Sequence, residues 1–328
     1  MAQSSDKQVA VVGGGMAGLA CARRLVAAGA DVSVFDKGRG PGGRMSSRRT
    51  EIGRFDHGAQ YMTARSDGFR DAMTGWIAAG VAAEWRGRFG VHGDGAVMEE
   101  TVREPRFVGA PRMNAIVAHE AEALGVRFGV EISELARSDR GWRLSSKEGD
   151  AVGEFDAVVA AVPAEQAAQL LKAVPALATE AEAARSAPCW AAMFGYDAPL
   201  DCGFDAVKSK SGPIAWLARE GAKPGRDAGE RVVVHASPDW SAAHLELQPE
   251  EIAGRLAAAL SELIGAPGPN FAQAHRWRFA QVAKPAESAF AYDPTQGIGV
   301  CGDWRIGPRV EAAWTSGDAL GEAVTAAL

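Results

Sequence analysis

The chain has 328 residues, 47% of them hydrophobic and 23% charged, values of an ordinary folded globular protein with length for about two domains. A disulfide-stapled mini-protein, a collagen and a globally disordered chain are thereby excluded, and a formal charge of −6 gives no basic footprint for nucleic acid. Glycine is in surplus at 39 residues, and 16 of these fall within 13–58 and 297–317, so the excess marks two places where backbone must turn sharply or come close to something.

Residues 1–7 carry no apolar run, and the one that follows, Val9 to Val12, breaks into glycines. Neither a signal peptide nor a membrane span is expected, and a cytoplasmic location is. Gln8 to Val12 predicts a strand, followed by a glycine turn, a helix from Met16 to Ala28 with Gly29 as its C-cap, and a second strand from Asp31 to Phe35. Inside this β-α-β unit, Gly13-Gly14-Gly15-Met16-Ala17-Gly18 fits G-x-G-x-x-G, and Asp36 stands 18 residues beyond Gly18. An acid at roughly that spacing receives a ribose hydroxyl. The first glycine turns the chain, the second admits a pyrophosphate to the backbone, and the third packs helix on strand, while the helix start offers free N–H groups to the anion. A bare motif of this kind is also an ordinary glycine-rich turn; the flanking strand, helix and acid are what single it out here. NAD and FAD both fit it.

A second glycine cluster, Lys37 to Met45, contains Gly43 and Arg44 and precedes Asp56-His57-Gly58-Ala59-Gln60-Tyr61. A simple NAD domain has no need of it, whereas a cofactor with an isoalloxazine on a ribityl chain needs a second close approach and a cation near its phosphates. Further along, Ala164 to Arg185 is alanine-rich and helical in propensity, Arg231 to Ala236 and Ala274 to Ala280 alternate as strands, and Gly299 to Asp303 reads as a strand ending at a polar site, before a helix from Val310 to Ala327. Cys21, Cys189, Cys202 and Cys301 are far apart with no C-x-x-C, which supports neither a zinc site nor a disulfide framework. No metal is expected. The chain has no G-x-S-x-G elbow and no metal-spaced histidines, so hydrolase and metal chemistry are disfavoured.

Four motifs carry a resemblance: V-V-G-G-G-M-A-G-L-A from Val11, F-D-K-G-R-G-P-G-G-R-M-S-S from Phe35, D-H-G-A-Q-Y-M-T from Asp56, and C-G-D-W with V-E-A-A-W-T-S-G from Cys301 onward. With A-H-R-W-R-F-A from Ala274, W-L-A-R from Trp216, K-P-G-R-D from Lys223 and H-A-S-P-D-W-S from His235, the chain resembles flavoproteins of the FAD-dependent amine-oxidase-like superfamily, most closely the bacterial renalase-like proteins. The resemblance implies an α/β fold, a Rossmann-like FAD-binding domain of the glutathione-reductase/amine-oxidase type with an inserted α+β substrate domain. The FAD domain would be discontinuous, residues 1–69, 110–163 and 286–328, and the substrate domain would be 70–109 and 164–285.

Carried over position by position, Gly13, Gly15, Ala17 and Gly18 would hold the pyrophosphate, Asp36 the adenosine ribose and Arg44 a phosphate, with Met16, Lys37, Gly43 and Met45 also among the cofactor-binding residues. Gly58, Ala59, Gln60 and Tyr61 would border the flavin ring, and Val130, in G-V-E-I-S, would meet the adenine through its backbone. Phe155 to Pro163 resembles the strand that ends beside the cofactor. Gly302 and Asp303 would meet the ribityl chain, and the helix starting at Arg309 and Val310 would aim its N-terminus at the pyrimidine end of the ring. FAD would be held non-covalently, since Cys301 precedes the site instead of facing it.

The resemblance also implies oxidation of 1,2- and 1,6-dihydro isomers of NAD(P) to NAD(P)+, with O2 reduced to H2O2. Such a substrate is large and anionic and calls for aromatic walls and cations, for which Trp216, Arg219, Arg226, His235, His275, Arg276 and Trp277 are the candidates. Each also fits a plain role, the histidines and tryptophans as core residues and the arginines as surface charges. The alternatives are an amine oxidase, for which Lys284 would be the lysine near the flavin, and a flavoprotein that binds FAD and a partner without turnover. A monooxygenase is disfavoured because no second dinucleotide fingerprint is present.

Overall fold

The computed structural model describes residues 7–101 and 104–328, and these divide into two units. The first falls within Met1–Gly43, Val117–Ser186 and Gln281–Leu328, the second within Arg44–Ile116 and Ala187–Ala280.

The first unit is built on a six-stranded sheet in the order Ala291–Asp293, Ile298–Val300, Ala157–Ala160, Gln8–Val12, Asp31–Asp36, Arg127–Phe128. All neighbours are parallel except the first pair. Parallel strands covered on both faces need apolar residues at every position, and Val9 to Val12 and Ala157 to Ala160 are buried throughout. A three-stranded antiparallel sheet, Ile132–Arg137, Trp142–Ser146 and Ala151–Phe155, packs Leu135, Trp142 and Leu144 into one core with Ala10, Val12 and Phe35. Helices Ala164–Leu170 and Pro175–Ala183 join that core through Ala167, Leu170 and Leu177. The predicted opening strand, opening helix and C-terminal helix are all formed, as Gln8–Val12, Met16–Ala27 and Val310–Ala327. The chain leaves the opening helix at Gly29, whose φ of 90° suits glycine.

Two helices of this unit touch through glycine. A side chain at Gly317, on the C-terminal helix, would overlap the carbonyl oxygen of Ala17, and Gly321 sits one turn on against Cys21. Arg24 Nη2 closes the contact to Asp318 Oδ2 at 2.7 Å. The glycines of the chain's end thus serve packing on the fingerprint helix as well as any ligand.

The second unit carries a seven-stranded sheet, in the order Phe271–Lys284, Arg185–Tyr196, Glu230–Ala236, Ile214–Arg219, Ala206–Ser209, Phe89–Gly93, Ala96–Glu99. Helix Pro249–Ile264 lays Ile252, Leu256 and Leu260 on one face against Phe194, Leu217, Val232 and Val234.

The unit boundaries differ from those the resemblance implies. Residues 44–69 and 110–116 go with the second unit, because Asp56 and Gln60 bond to 220–226 and Gly109 accepts from Arg226. Residues 164–186 go with the first, since their two helices complete its core.

Candidate active site

In the first unit the glycine turn is shaped as a cradle. Gly13 has a φ of 111° and donates its N–H to Phe35 O at 2.7 Å, and a side chain there would overlap Ala161 O. Gly18 packs so tightly that a Cβ would overlap Gly13 O. Gly15, in contrast, has open space where its Cβ would be. It is also the N-cap of the Met16–Ala27 helix, with no side-chain cap and no acid in the first turn, so the first N–H groups are left for an anion. Asp36 is fixed beside it, Oδ2 accepting from Gly14 N at 2.7 Å and Oδ1 from Gly38 N at 2.6 Å. Val130 donates its N–H to Asp36 O at 3.0 Å, which puts the predicted adenine contact next to the predicted ribose acid. A pyrophosphate over Gly15 and a ribose at Asp36 fit these residues as they stand.

The remaining cofactor candidates of the first unit are Lys37, exposed, Gly43 with a φ of 51°, Pro163 at the start of helix Ala164–Leu170, and Gly302, Asp303, Arg309 and Val310. Gly302 N donates to Ser316 Oγ at 2.9 Å, and Asp303 is buried. Arg309 is the N-cap of the Val310–Ala327 helix, without a side-chain cap, and the first turn already holds one acid, Glu311. Cys301 lies in the core of this unit, where burial pushes its thiol up to about 12. Lys284 is exposed.

In the second unit the segment Asp56 to Tyr61 is pinned from all sides. A side chain at Gly58 would overlap Arg44 O, to which Ala59 N donates at 2.8 Å. Met45 is buried, and Arg44 Nη1 donates to Ala280 O at 3.4 Å. Beneath the segment lies a buried quartet of two acids and two bases. Arg226 Nη2 and Nε donate to Asp56 Oδ2 at 2.5 and 3.1 Å, while Lys223 Nζ donates to Glu220 Oε1 at 2.5 Å. Glu220 Oε2 accepts from Asp56 N at 3.1 Å, and Asp56 Oδ1 accepts from Ser47 Oγ and from Met113 N. Burial would push the Asp56 carboxyl up, but Lys223, Arg226 and these hydrogen bonds outweigh it and hold it below the ordinary range. Burial pushes Glu220 up, with Lys223 opposing.

The quartet orients Gln60. Lys223 Nζ donates to Gln60 Oε1 at 3.1 Å, which turns Gln60 Nε2 toward Gly58 O at 3.0 Å and the Asp56 carbonyl. His57 O is held by two rings, Trp277 Nε1 at 3.0 Å and His235 Nε2 at 3.2 Å. A carbonyl facing Nε2 makes the neutral His235 ring the Nε2–H tautomer and leaves Nδ1 as an acceptor. His57, His275 and Trp277 cluster with ring centroids 4.5 to 5.1 Å apart.

All three histidines are held neutral. Burial, with His275 and Arg48 adding, lowers His57 to about 3; burial lowers His235 to about 4; burial and then Arg48 lower His275 to about 4. Unfolded histidine titrates near 6.5, so below that pH the unfolded chain binds more protons and stability falls as pH drops toward the folded values. The expected result is a urea midpoint that falls from pH 7 to pH 5, and falls less in His57→Gln. Equal falls in the two proteins would contradict a buried neutral His57.

Of the substrate candidates, the structure brings His235, His275 and Trp277 together. Trp216 stands with Tyr61, centroids 5.3 Å apart, under the guanidinium of Arg106. Arg276 is not brought to this cluster: the strand's alternation turns it to the opposite face from its neighbours, where Nη1 bonds Leu245 O at 2.6 Å and Glu246 at 3.2 Å. Arg219 is held by Glu230 and Arg226 by Asp56. Asp56, His57, Glu220 and Lys223 were not singled out as candidates from sequence. D-H-G-A-Q and K-P-G-R-D were visible as motifs, but nothing in either announces a partner more than 160 residues away.

A sequence profile of NAD(P)-binding Rossmann-like domains matches residues 11–74, and that of flavin-containing amine oxidoreductases matches residues 97–318. Over 59 residues, 18% of this chain, the sequence is 39% identical to the 4,4'-diaponeurosporene oxygenase of Staphylococcus haemolyticus, a stretch that spans 12% of that protein's length. Among solved structures the fold is similar to a provisionally named protoporphyrinogen oxidase from Exiguobacterium sp. 255-15, with TM-score 0.79, 12% identity, and 99% of this chain and 100% of that one covered. It is also similar to the cyclohexylamine oxidase of Brevibacterium oxydans IH-35A, with TM-score 0.77, 13% identity, and coverage of 98% and 99%. No helix among the described residues is long and apolar enough to cross a membrane. With a family profile covering more than half its length, the chain belongs to the flavin-containing amine oxidoreductases.

Proposed function

We propose that this chain is a renalase-like oxidase of dihydropyridine nucleotides, converting 1,2- and 1,6-dihydro isomers of NAD(P) to NAD(P)+ while O2 and a proton leave as H2O2. FAD, when bound, supplies the hydride acceptor. The observation that carries the reading is the charge state of the second unit's polar cluster. Both buried acids, Asp56 and Glu220, are already matched by Arg226 and Lys223, so neither is left to seat an alkylammonium. The imidazoles beside them are neutral, and Trp277 adds an aromatic face. A dihydropyridine needs that kind of surface: its ring nitrogen drives hydride departure, and no strong base is required of the protein. His235 would hold the substrate's amide through Nδ1, with its Nε2–H tied to the His57 carbonyl.

An amine oxidase is the second reading, favoured by the family itself and by the likeness in fold to cyclohexylamine oxidase. Anaerobic mixing of the holoenzyme with 1,2-dihydro-NAD, 1,6-dihydro-NAD and a panel of primary amines separates the two. Rapid bleaching of the flavin band by a dihydropyridine and not by amines is expected. Bleaching by amines alone reverses the assignment, and no bleaching by either sinks both.

A further inference from the structure

Most arginines around the second unit's polar cluster are matched to acids, as in Arg106 with Glu100, Arg219 with Glu230, Arg226 with Asp56, and Arg278 with Glu246. The hairpin of strands Arg48–Thr50 and Gly53–Phe55 is different. Among the described residues none of its arginines, Arg48, Arg49 and Arg54, has an acid partner, and Arg49 and Arg54 are direct cross-strand neighbours, an arrangement that like-charge repulsion disfavours.

The register separates these three. Arg48 is paired with Phe55, so the two side chains share one face of the hairpin, and Arg49 and Arg54 share the other. Phe55 is 0% exposed and stacks on Phe271 at 5.6 Å, which makes Arg48's face the inward one. Arg48 and Arg54 are both half-buried and Arg49 is exposed, so it is the pairing with Phe55 that sets Arg48 apart, and its charge acts on both His57 and His275. His57 is 5% exposed, and its Nδ1 has no hydrogen-bond partner among the described residues. His275 is half-buried, and its ring nitrogens make no hydrogen bond to protein among the described residues. An inward cation with no counterion, beside two imidazoles with unmet hydrogen-bonding capacity, is a site short of one negative group.

We propose that Arg48, His275 and His57 form a subsite for one phosphate group of the bound nucleotide, with Trp277 as its aromatic wall. Arg48 supplies the charge-assisted bonds, and each neutral imidazole supplies one N–H. The inference rests on the dihydropyridine-nucleotide reading only for what the phosphate is attached to.

The test compares nicotinamide mononucleotide with nicotinamide riboside, which differ by one phosphate, on FAD-loaded enzyme, followed by calorimetry. A charge-assisted contact of this kind predicts that the mononucleotide binds roughly tenfold more tightly or better in the native protein. Arg48→Met should bring the two to within about twofold, by loss of the mononucleotide's advantage alone, with the flavin spectrum unchanged, and Arg48→Lys should keep part of the gap. Equal affinities in the native protein, or a gap that survives Arg48→Met, overturn the proposal. If Arg48→Met does not retain FAD, Arg48→Gln makes the same comparison. Inorganic pyrophosphate separates this inference from the reading beneath it. Arg48-dependent pyrophosphate binding without flavin bleaching by dihydropyridines keeps the anion site and removes the nucleotide; bleaching without any Arg48-dependent phosphate gap keeps the nucleotide and removes the subsite.

Discussion

Gly18→Ala and Gly15→Ala, three residues apart in one motif, are expected to give opposite phenotypes. At Gly18 the new methyl overlaps the backbone oxygen of Gly13, which cannot yield without opening the turn between strand and helix. Overpacking of this kind costs about 1–3 kcal/mol, and more when the obstacle is backbone. A melting temperature lower by several degrees, even without FAD, follows. At Gly15 nothing lies within 4 Å of the new methyl, and the backbone φ of −83° suits any residue. The FAD-free protein should therefore melt within about one degree of the native protein, while FAD affinity falls roughly tenfold or more because the methyl occupies the space over the helix N-terminus. Thermal unfolding with and without FAD and a flavin fluorescence titration check both. A Gly15→Ala protein that holds FAD normally would mean the pyrophosphate lies elsewhere.

The second large effect is expected at Lys223. Its ammonium is 0% exposed and matches Glu220 at 2.5 Å, with Asp56 at 3.7 Å. Lys223→Met leaves two buried carboxylates to one guanidinium, and an uncompensated buried charge costs about 3–5 kcal/mol. The double variant E220Q/K223M removes the orphaned charge and keeps an acceptor for Asp56 N, so it should be markedly more stable than Lys223→Met. Urea unfolding of the four proteins in a double-mutant cycle measures this, and additive losses would show that the pair is not coupled. Gln60 gives a second readout: without Lys223 its amide is free to turn, and the hydrogen bond to Gly58 O is no longer enforced.

These two predictions draw on opposite kinds of information. The cradle was legible because its parts are local: Gly13, Gly15, Gly18 and Asp36 lie within one strand-helix-strand unit, and the hydrophobic run and helix period around them leave one backbone path. The C-terminal helix was legible for the same reason, and its bounds, Val310 to Ala327, match the structure. A histidine, an arginine and a tryptophan in a row look like one site, but a strand sends alternate side chains to opposite faces, and Arg276 bonds Leu245 and Glu246 away from His275 and Trp277. Residues 164–186 pack with the first unit, which their sequence does not announce, because an alanine-rich stretch has helical propensity but no mark of the core it will enter.

The opening strand-helix-strand unit and its G-x-G-x-x-G spacing follow from local sequence, since they depend on contacts within a few tens of residues, while the choice of FAD and of the fold class comes from the resemblance carried by motifs along the whole chain. The pairing of Asp56 with Arg226, the Lys223 grip on Gln60, and the inward turn of Arg48 depend on which strands meet and in what register. A charged side chain has the same chemistry in a surface loop and in a buried quartet. Its burial and its partners, which fix its charge and its role, are properties of the folded chain, and long-range packing sets both.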